Sequence, residues 1–492
     1  MFLHTPPTPT PTPPAPSARR SSATDGGYDQ QRSRSWRRAA LATLAATTIT
    51  SSSAILTVTV PTAKAQSAAS TGSSAPALPG SANTSGGAFG SMADATPPSL
   101  VNLGNPMRDP APYDQETHTS GLTLWAIPSH TGVPMSEVPL DPSVGLSGAS
   151  SQYRFSYSTT DQHGTTVPST AALFIPQGQM PPGGWPVIAW AHGAVGLADQ
   201  CAPSINARSS RDAEYLNHWL SQGYAIVASD YAGLGTPGLM SYLNGKTTAT
   251  SVVDSVIAAQ SLPSSTLTNQ QLAEKWAVIG QSQGGGAALH VARNASARSE
   301  AAGLYFVGTV ATGAPAYIEE IVLAAGPTFP PAPLPAGLNT YAAYIMAGFR
   351  EAHPEIDVNS ALTEEGKKWV NEAETSCYSQ LAPAVQGMNV ARAFSKPLRS
   401  VPGLEPALRD YMQTPATGYD KPVFLGHGLR DTDVPTPIGI ILNSDIWINQ
   451  FVGDAQQRNN RVVVRWYPTD HGGTVPASEA DSTPFLRDLF RQ

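Results

Sequence analysis

The sequence predicts an α/β fold, with a doubly wound, mostly parallel sheet that begins with antiparallel strands and carries a helical insertion. Three observations predict it. From Gln152 onward, short apolar segments of strand character alternate with segments of helical periodicity. One apolar segment runs into Gly280-Gln-Ser-Gln-Gly284 and then into a small-residue helix. Roughly a hundred residues separate the strand that ends near Thr312 from the next strand at Pro422, which is far more than a simple connection needs.

The predicted elements follow in a regular order. The strands, of which the first two are expected to be antiparallel, are 153–159, 171–175, 186–192, 224–230, 276–281, 306–312, 421–426 and 461–467. The helical segments are 213–221 and 251–261 between strands, and 341–353, 363–381 and 404–412 in the insertion. Loops at the carboxyl ends of parallel strands gather at one edge of a sheet, so chemistry is expected there.

The first 110 residues predict no folded domain. Basic residues 32–38, a weakly apolar run at 39–60 and an A-x-A site ending at Ala65 indicate a signal peptide over residues 1–65 and secretion after cleavage near Ala65. An uncleaved membrane anchor is the alternative, which the Ser and Thr content of the run disfavours. Residues 66–110 are rich in Ser, Ala, Gly and Pro, which predicts a disordered linker. The catalytic core is then 111–315 and 416–492, with a helical cap inserted at 316–415.

The charge of the chain excludes some partner classes. The formal charge is −7, and removal of residues 1–65 takes away seven Lys and Arg and two Asp, leaving −12. An acidic exported chain argues against nucleic acid and against electrostatic binding to anionic lipid.

Ser282 is the predicted nucleophile. The turn between a strand and a helix is so tight that the positions two residues on either side must have almost no side chain, and Gly280 and Gly284 meet that demand. The alternative is an incidental glycine-rich turn. The four apolar residues upstream and the helical spacing downstream favour the nucleophile.

A serine hydroxyl needs a base, and a histidine base needs an orienting acid. His471 lies in a glycine-bounded loop after the last strand, and Asp431 lies in the loop after the strand before it. Asp431 is favoured over Asp433 because it precedes Pro435 by four residues, and Asp433 is then a candidate helix cap near Thr436. His427 is rejected as the base because it is too close in sequence to the acid.

Backbone amides must stabilise the oxyanion of an acyl transfer. The strand at 186–192 runs into an H-G-x loop, and we expect the amides of Ala194 and Gln283 to form the hole, with Val195 as the alternative to Ala194. His192 is expected to organise this loop through local backbone hydrogen bonds. None of the histidines suggests a metal site.

Only two cysteines occur, Cys201 and Cys377, and an even pair in an exported chain predicts one disulfide. Such a bridge would tether a helical segment of the insertion to the rim of the site. A loop of this length corresponds to a stabilisation of about 4 to 5 kcal/mol in the chain-entropy model.

These segments together resemble the secretory lipases, a family of α/β hydrolases similar to yeast lipase A. The matching segments are 191–193 leading to Cys201-Ala-Pro-Ser204, Asp230-Tyr-Ala-Gly-Leu-Gly235, Gly280–Gly284, Asp431-Thr-Asp-Val-Pro435 and Asp470-His471-Gly472. The resemblance spans about 110–492. It implies an α/β-hydrolase fold, lipase or carboxylesterase activity without a metal or organic cofactor, a helical cap between core strands and a disulfide from Cys201.

The expected function is hydrolysis of acylglycerols or other carboxylic esters through Ser282, His471 and Asp431. The expected partner is an ester or lipid substrate, with transient contact of the cap with a lipid interface, and the chain is expected to be a monomer. Two alternatives stay open. One is an exported serine peptidase or amidase of the same fold, and the other is a non-catalytic binding protein, which the intact set of three residues disfavours. Apolar cap residues are candidates for an acyl tunnel or for the cap's own core: Tyr344, Ile345, Met346, Phe349, Trp369 and Phe394.

Overall fold

A computed structural model describes residues 121–263, 271–330, 334 and 336–492. Within these residues one sheet contains nine strands, which are Pro134–Pro139 (β1), Ala149–Thr160 (β2), Thr166–Pro176 (β3), Trp185–Ala191 (β4), Ala225–Ser229 (β5), Leu272–Gln281 (β6), Tyr305–Thr312 (β7), Val423–Gly428 (β8) and Val462–Tyr467 (β9). Their order across the sheet is β1-β2-β3-β5-β4-β6-β7-β8-β9. The predicted signal peptide and linker lie outside the described residues.

Helices connect these strands and fill the insertion. Between strands lie Ser210–Ser221 (α1), Gly245–Gln260 (α2) and Gln283–Ala301 (α3). The insertion between β7 and β8 contains Ile318–Leu323 (α4), Ala336–Ala352 (α5), Glu364–Thr375 (α6), Tyr378–Ala384 (α7) and Leu404–Met412 (α8). The last helices are Thr436–Ile448 (α9), Thr474–Ala477 (α10) and Glu479–Arg491 (α11).

The pairing of the strands confirms the predicted architecture. β1, β2, β3 and β5 pair antiparallel in turn, and every pair from β5 through β4 to β9 is parallel. All eight predicted strands are present, and four of them, β2, β3, β6 and β7, are longer than predicted. The sequence analysis missed β1, whose sequence Pro-Met-Ser-Glu-Val-Pro begins and ends in proline, a residue that edge strands tolerate.

Both faces of the sheet are covered by helices, and β4 shows how the sequence achieves this. Its residues 187, 189 and 191 belong to the core under α2, α3 and the insertion. Ile188 and Trp190 face the other core, which contains residues of α1 and α11. Side chains of a strand alternate between faces, so burial on both faces requires a continuous apolar run such as Val-Ile-Ala-Trp-Ala.

The insertion is helical, as predicted, but one segment predicted as a single helix is divided into two. Residues 363–381 form two helices, because Ser376 and Cys377 take extended backbone conformations between α6 and α7. The division of the chain into a core at 111–315 and 416–492 and a cap at 316–415 stays a prediction. In the part of the chain that the structure describes, no helix has both the length and the apolar character to cross a bilayer.

Candidate active site

Ser282 lies at the sharp turn between β6 and α3. Its backbone has a positive φ of 58° with ψ of −124°, a conformation that non-glycine residues rarely adopt. The flanking glycines allow it, since a Cβ at Gly280 would collide with the carbonyl of Gly284, and a Cβ at Gly284 with the carbonyl of Ala191. The turn therefore places the serine at the carboxyl edge of the sheet and at the start of a helix.

His471 and Asp431 form a buried hydrogen-bonded pair. The Nδ1 of His471 donates to Oδ2 of Asp431 at 2.7 Å, and the carboxylate is fully buried. The other carboxylate oxygen accepts from the backbone amides of Asp433 at 3.0 Å and Val434 at 2.9 Å. The Nε2 of His471 is buried and has no hydrogen-bond partner among the described residues. With its proton on Nδ1, the ring leaves an available lone pair on Nε2.

The turn Thr312–Gly313 links the serine to this pair. The amide of Ser282 donates to the carbonyl of Thr312 at 2.9 Å. Gly313 has a φ of 55°, and a Cβ there would lie 2.7 Å from Cε1 and 2.9 Å from Nδ1 of His471. The same backbone turn thus contacts both predicted catalytic groups. The sequence analysis missed Gly313, although a glycine directly after a predicted strand was an available signal.

The loop after β4, residues 192–196, lies against the serine turn. A Cβ at Gly193 would be 3.5 Å from Cβ of Ser282, so the loop backbone approaches the serine closely. The Nδ1 of His192 donates to the carbonyl of Gly193 at 2.7 Å. Its ring stacks on the ring of Tyr231, with 4.2 Å between the centroids. Burial lowers the pKa of His192, which favours the neutral ring. The structure thus gives His192 the local backbone contacts expected of a loop organiser.

The two predicted oxyanion donors lie on either side of the nucleophile. Ala194 is the second residue after His192 in the loop, and Gln283 is the first residue of α3, directly after Ser282. Gln283 is buried and Ala194 is half-buried. Their role as donors stays a prediction.

A disulfide joins Cys201 to Cys377, which confirms the predicted pairing. The segment around Cys377 also pairs with the loop after β4. Cys377 forms an isolated antiparallel bridge with Gly196, and the amide of Tyr378 donates to the carbonyl of Val195 at 2.8 Å. The insertion is therefore attached directly to the loop that carries Ala194.

His427 is closer to the acid than the sequence analysis expected. Its Nε2 lies 3.7 Å from Oδ2 of Asp431, so two imidazoles flank one carboxylate. Burial lowers the pKa of His427, and the nearby Asp431 opposes that effect. A Cβ at Gly439 of α9 would collide with the ring. The ring of His471 makes the shorter contact with the acid.

A cavity of about 930 Å³, including the open space at its mouth, extends from Ser282 into the insertion. Most of its walls are apolar side chains of α4, α5 and the segments that follow α7. Of the six tunnel candidates, Ile345, Met346 and Phe394 line this cavity, whereas Tyr344, Phe349 and Trp369 are buried outside it. The few polar side chains on the walls are Tyr242, Ser282, Gln283, Tyr341 and Asp433.

Asp433 does not cap a helix. The N-cap residue of α9 is Pro435, and no side chain caps that helix end. The carboxylate of Asp433 instead accepts a hydrogen bond from the hydroxyl of Tyr341 on α5 at 3.0 Å. Sequence reasoning had no signal for this contact, because the two residues lie 92 positions apart. Among the described residues no group of three or more His, Cys, Asp or Glu side chains is arranged to hold a metal ion.

One family model matches part of the chain. Residues 206–411 match the model of a family described as secretory lipase. This range includes Ser282 and ends before Asp431 and His471. No curated protein sequence matches the chain significantly.

Solved structures share the fold. The chain is similar to Candida antarctica lipase A in its closed state, at 19% identity and a TM-score of 0.58, covering 76% of this chain and 86% of that one. It is also similar to the rice cell wall degrading esterase LipA from Xanthomonas oryzae, at 19% identity and a TM-score of 0.56, covering 72% and 98%. A putative hydrolase from Legionella pneumophila matches at 20% identity and a TM-score of 0.55, covering 70% and 89%. The α/β-hydrolase fold is thereby established.

Proposed function

We propose that this chain is a secreted serine lipase that cleaves acyl esters with Ser282, His471 and Asp431. The match of residues 206–411 to the secretory lipase family supports a carboxylic ester hydrolase. One observation carries the proposal. The buried bond between His471 and Asp431 faces the strained turn of Ser282 across Gly313, at the end of an apolar cavity.

The mechanism follows from these contacts. The hydroxyl of Ser282 attacks the ester carbonyl while Nε2 of His471 accepts its proton, and Asp431 holds the imidazole in the required tautomer. The amides of Ala194 and Gln283 stabilise the oxyanion. The imidazolium then protonates the leaving alcohol, and the acyl group stays on the serine. Water, deprotonated by the same imidazole, releases the acid and restores the serine.

The cavity supports a long acyl chain rather than a short one alone. Its apolar lining would bury each methylene with a gain of about 0.8 kcal/mol. The likeness to a lipase and to a cell wall esterase leaves acylglycerols and other apolar esters as the substrate class. The disulfide and the family support secretion, since disulfides persist in oxidising compartments.

The test is hydrolysis of nitrophenyl esters from acetate to palmitate by the secreted protein. Turnover that continues through the long chains, and that Ser282→Ala lowers by about a thousandfold or more, is the expected result. Matched variants of the other two residues, His471→Ala and Asp431→Asn, should also lower kcat strongly, whereas His427→Gln should not match the effect of His471→Ala.

Other outcomes would reassign the activity. Turnover of acetate and butyrate alone would indicate an esterase. Cleavage of a naphthylamide without cleavage of the naphthyl ester would indicate the peptidase or amidase. Ester turnover that Ser282→Ala leaves intact would overturn the proposal.

A further inference from the structure

The cavity beside Ser282 contains one carboxylate, that of Asp433, in walls that are otherwise almost entirely apolar. No ion pair among the described residues involves this group. The carboxylate accepts a side-chain hydrogen bond from Tyr341 at 3.0 Å. A half-buried carboxylate keeps further acceptor capacity, since it can accept about four hydrogen bonds.

The side chains of Asp433, Tyr341 and Tyr378 converge at the corner of the cavity next to Gly337. A Cβ at Gly337 would lie 3.0 Å from Oδ1 of Asp433 and 3.1 Å from the hydroxyl of Tyr378. The rings of Tyr341 and Tyr378 stack at 5.6 Å, and those of Tyr341 and Tyr242 at 6.4 Å. Burial raises the pKa of Tyr341, which keeps its hydroxyl protonated and therefore a donor to Asp433. Packing and hydrogen bonding thus fix the carboxylate in place.

The position of Asp433 along the chain indicates which part of a substrate it would meet. Its backbone amide donates to Asp431, the partner of His471. In the proposed reaction the leaving alcohol takes its proton from His471, so the alcohol lies on this side of the cavity. The long apolar wall formed by the insertion remains for the acyl chain.

We propose that Asp433, oriented by Tyr341, selects esters whose alcohol part carries a free hydroxyl, namely partial esters of polyols. The carboxylate accepts a hydrogen bond from that hydroxyl. A purely apolar alcohol at the same place would remove water from the carboxylate and give no bond in return. This inference deepens the function proposed above and rests on it.

The experiment compares two esters of nearly equal size, 2-hydroxyethyl butyrate and propyl butyrate, by pH-stat titration. The measured quantity is the ratio of their kcat/KM values. The native enzyme should favour the hydroxyethyl ester, and Asp433→Leu should lower the ratio by about tenfold to a hundredfold, the factor that corresponds to one hydrogen bond to a charged group. Most of the change should be in the kcat/KM of the hydroxyethyl ester, because only this ester can donate a hydrogen bond to Asp433.

Two further variants serve as controls. Asp445 also accepts a hydrogen bond from a tyrosine, Tyr317, at 2.6 Å, but it does not line the cavity. Asp445→Leu should therefore leave the ratio of kcat/KM values unchanged. Asp433→Asn preserves the shape and should lower the ratio less than leucine does. If Asp433→Leu prevents folding, Asp433→Asn tests the proposal in its place.

The outcomes separate the two proposals. Serine-dependent turnover of both esters, with the native ratio retained in both Asp433 variants, would overturn this inference and leave the lipase assignment intact. Absence of serine-dependent turnover of either ester would overturn both.

Discussion

Ser282 keeps a backbone conformation that costs about 1 to 3 kcal/mol relative to an ordinary one. Two backbone hydrogen bonds hold it, from its amide to Thr312 at 2.9 Å and from the amide of Gly286 to its carbonyl at 3.1 Å. Neither bond uses the hydroxyl. Replacement by alanine therefore preserves the turn, and a loss of activity in Ser282→Ala reports on chemistry rather than on folding.

Gly313 is predicted to control the position of the base. Gly313→Ala would place a methyl group 2.7 Å from Cε1 of His471. A displacement of the ring by about 1 Å should lower kcat by roughly a hundredfold. Steady-state kinetics on a nitrophenyl ester measures this loss of kcat.

Gly303→Ala is the matched control, because Gly303 also has a positive φ, 74°, but has no atom within 4 Å of the added methyl. Both variants should lose about 1 kcal/mol of stability from the backbone conformation alone. Equal kcat values in the two would contradict the positional role of Gly313.

Asp199 gives a predicted pH dependence of stability. Burial raises the pKa of Asp199 to about 6 from 3.8, although the backbone amide of Gly235 donates to it at 3.1 Å. The folded state therefore prefers the protonated acid. The resulting stabilisation is complete below pH 3.8 and is lost as the pH rises through about 6.

Asp199→Asn removes this titration, so the variant should gain stability relative to the native protein between pH 4 and pH 7, by at most about 3 kcal/mol. Urea unfolding of both proteins at pH 4, 5, 6 and 7 measures the difference. A difference that stays constant across this range would contradict the prediction.

At the scale of elements, extended backbone at Ser376 and Cys377 separates α6 from α7 and pairs with the loop after β4. Helical periodicity alone could not predict this break, because the extended segment pairs with Gly196 and is bonded to Cys201, 176 residues away. β1 was missed for a related reason, since an edge strand with proline at both ends lacks a clear alternating pattern. The strands buried on both faces were predictable because their apolar runs are continuous.

The disulfide is predicted to affect both stability and catalysis. Replacing Cys201 and Cys377 by serine should lower the free energy of unfolding by up to about 5 kcal/mol. The bond from Tyr378 to Val195 would loosen as well, so kcat should fall while KM for a short ester changes little. Chemical unfolding and kinetics on nitrophenyl butyrate measure the two effects.

Reduction of the native protein with dithiothreitol is the matched control, and it should reproduce both changes. A double variant with native kcat would show that the bridge stabilises the fold without positioning the loop.

Across the whole molecule, parallel strands bring residues distant in sequence to one edge. The placement of Ser282, Asp431 and His471 at one edge of the sheet was predictable because each follows a predicted strand, and the order of strands determines where such loops meet. Their catalytic roles stay predictions. Apart from the disulfide, the contacts made by the insertion were not predictable. Asp433 accepts a hydrogen bond from Tyr341 because of the position of α5. That position depends on how the hundred-residue insertion packs.

The cavity predicts that one substitution in its wall can lower the hydrolysis of long-chain esters without lowering that of short-chain esters. Ala342 lines it on α5, and Ala342→Trp would fill part of its volume. Hydrolysis of palmitate esters should fall by about tenfold or more, since the cost of burying a large side chain in occupied space is typically 1 to 3 kcal/mol. Hydrolysis of acetate esters, which need little of the cavity, is the internal control and should stay within about twofold.

An equal loss for all chain lengths in this variant, with an unchanged melting temperature, would show that the acyl chain lies elsewhere.

The bridge between Cys201 and Cys377 also bears on the biogenesis of the protein. Both cysteines precede β8 and β9, the strands that deliver Asp431 and His471. In the proposed secretion, which would begin at the amino end, the bridge can close while Ser282 still lacks its proposed base. Oxidation can therefore attach the insertion to the loop beside Ser282 first, and the proposed catalytic triad is complete only when β8 and β9 join the sheet.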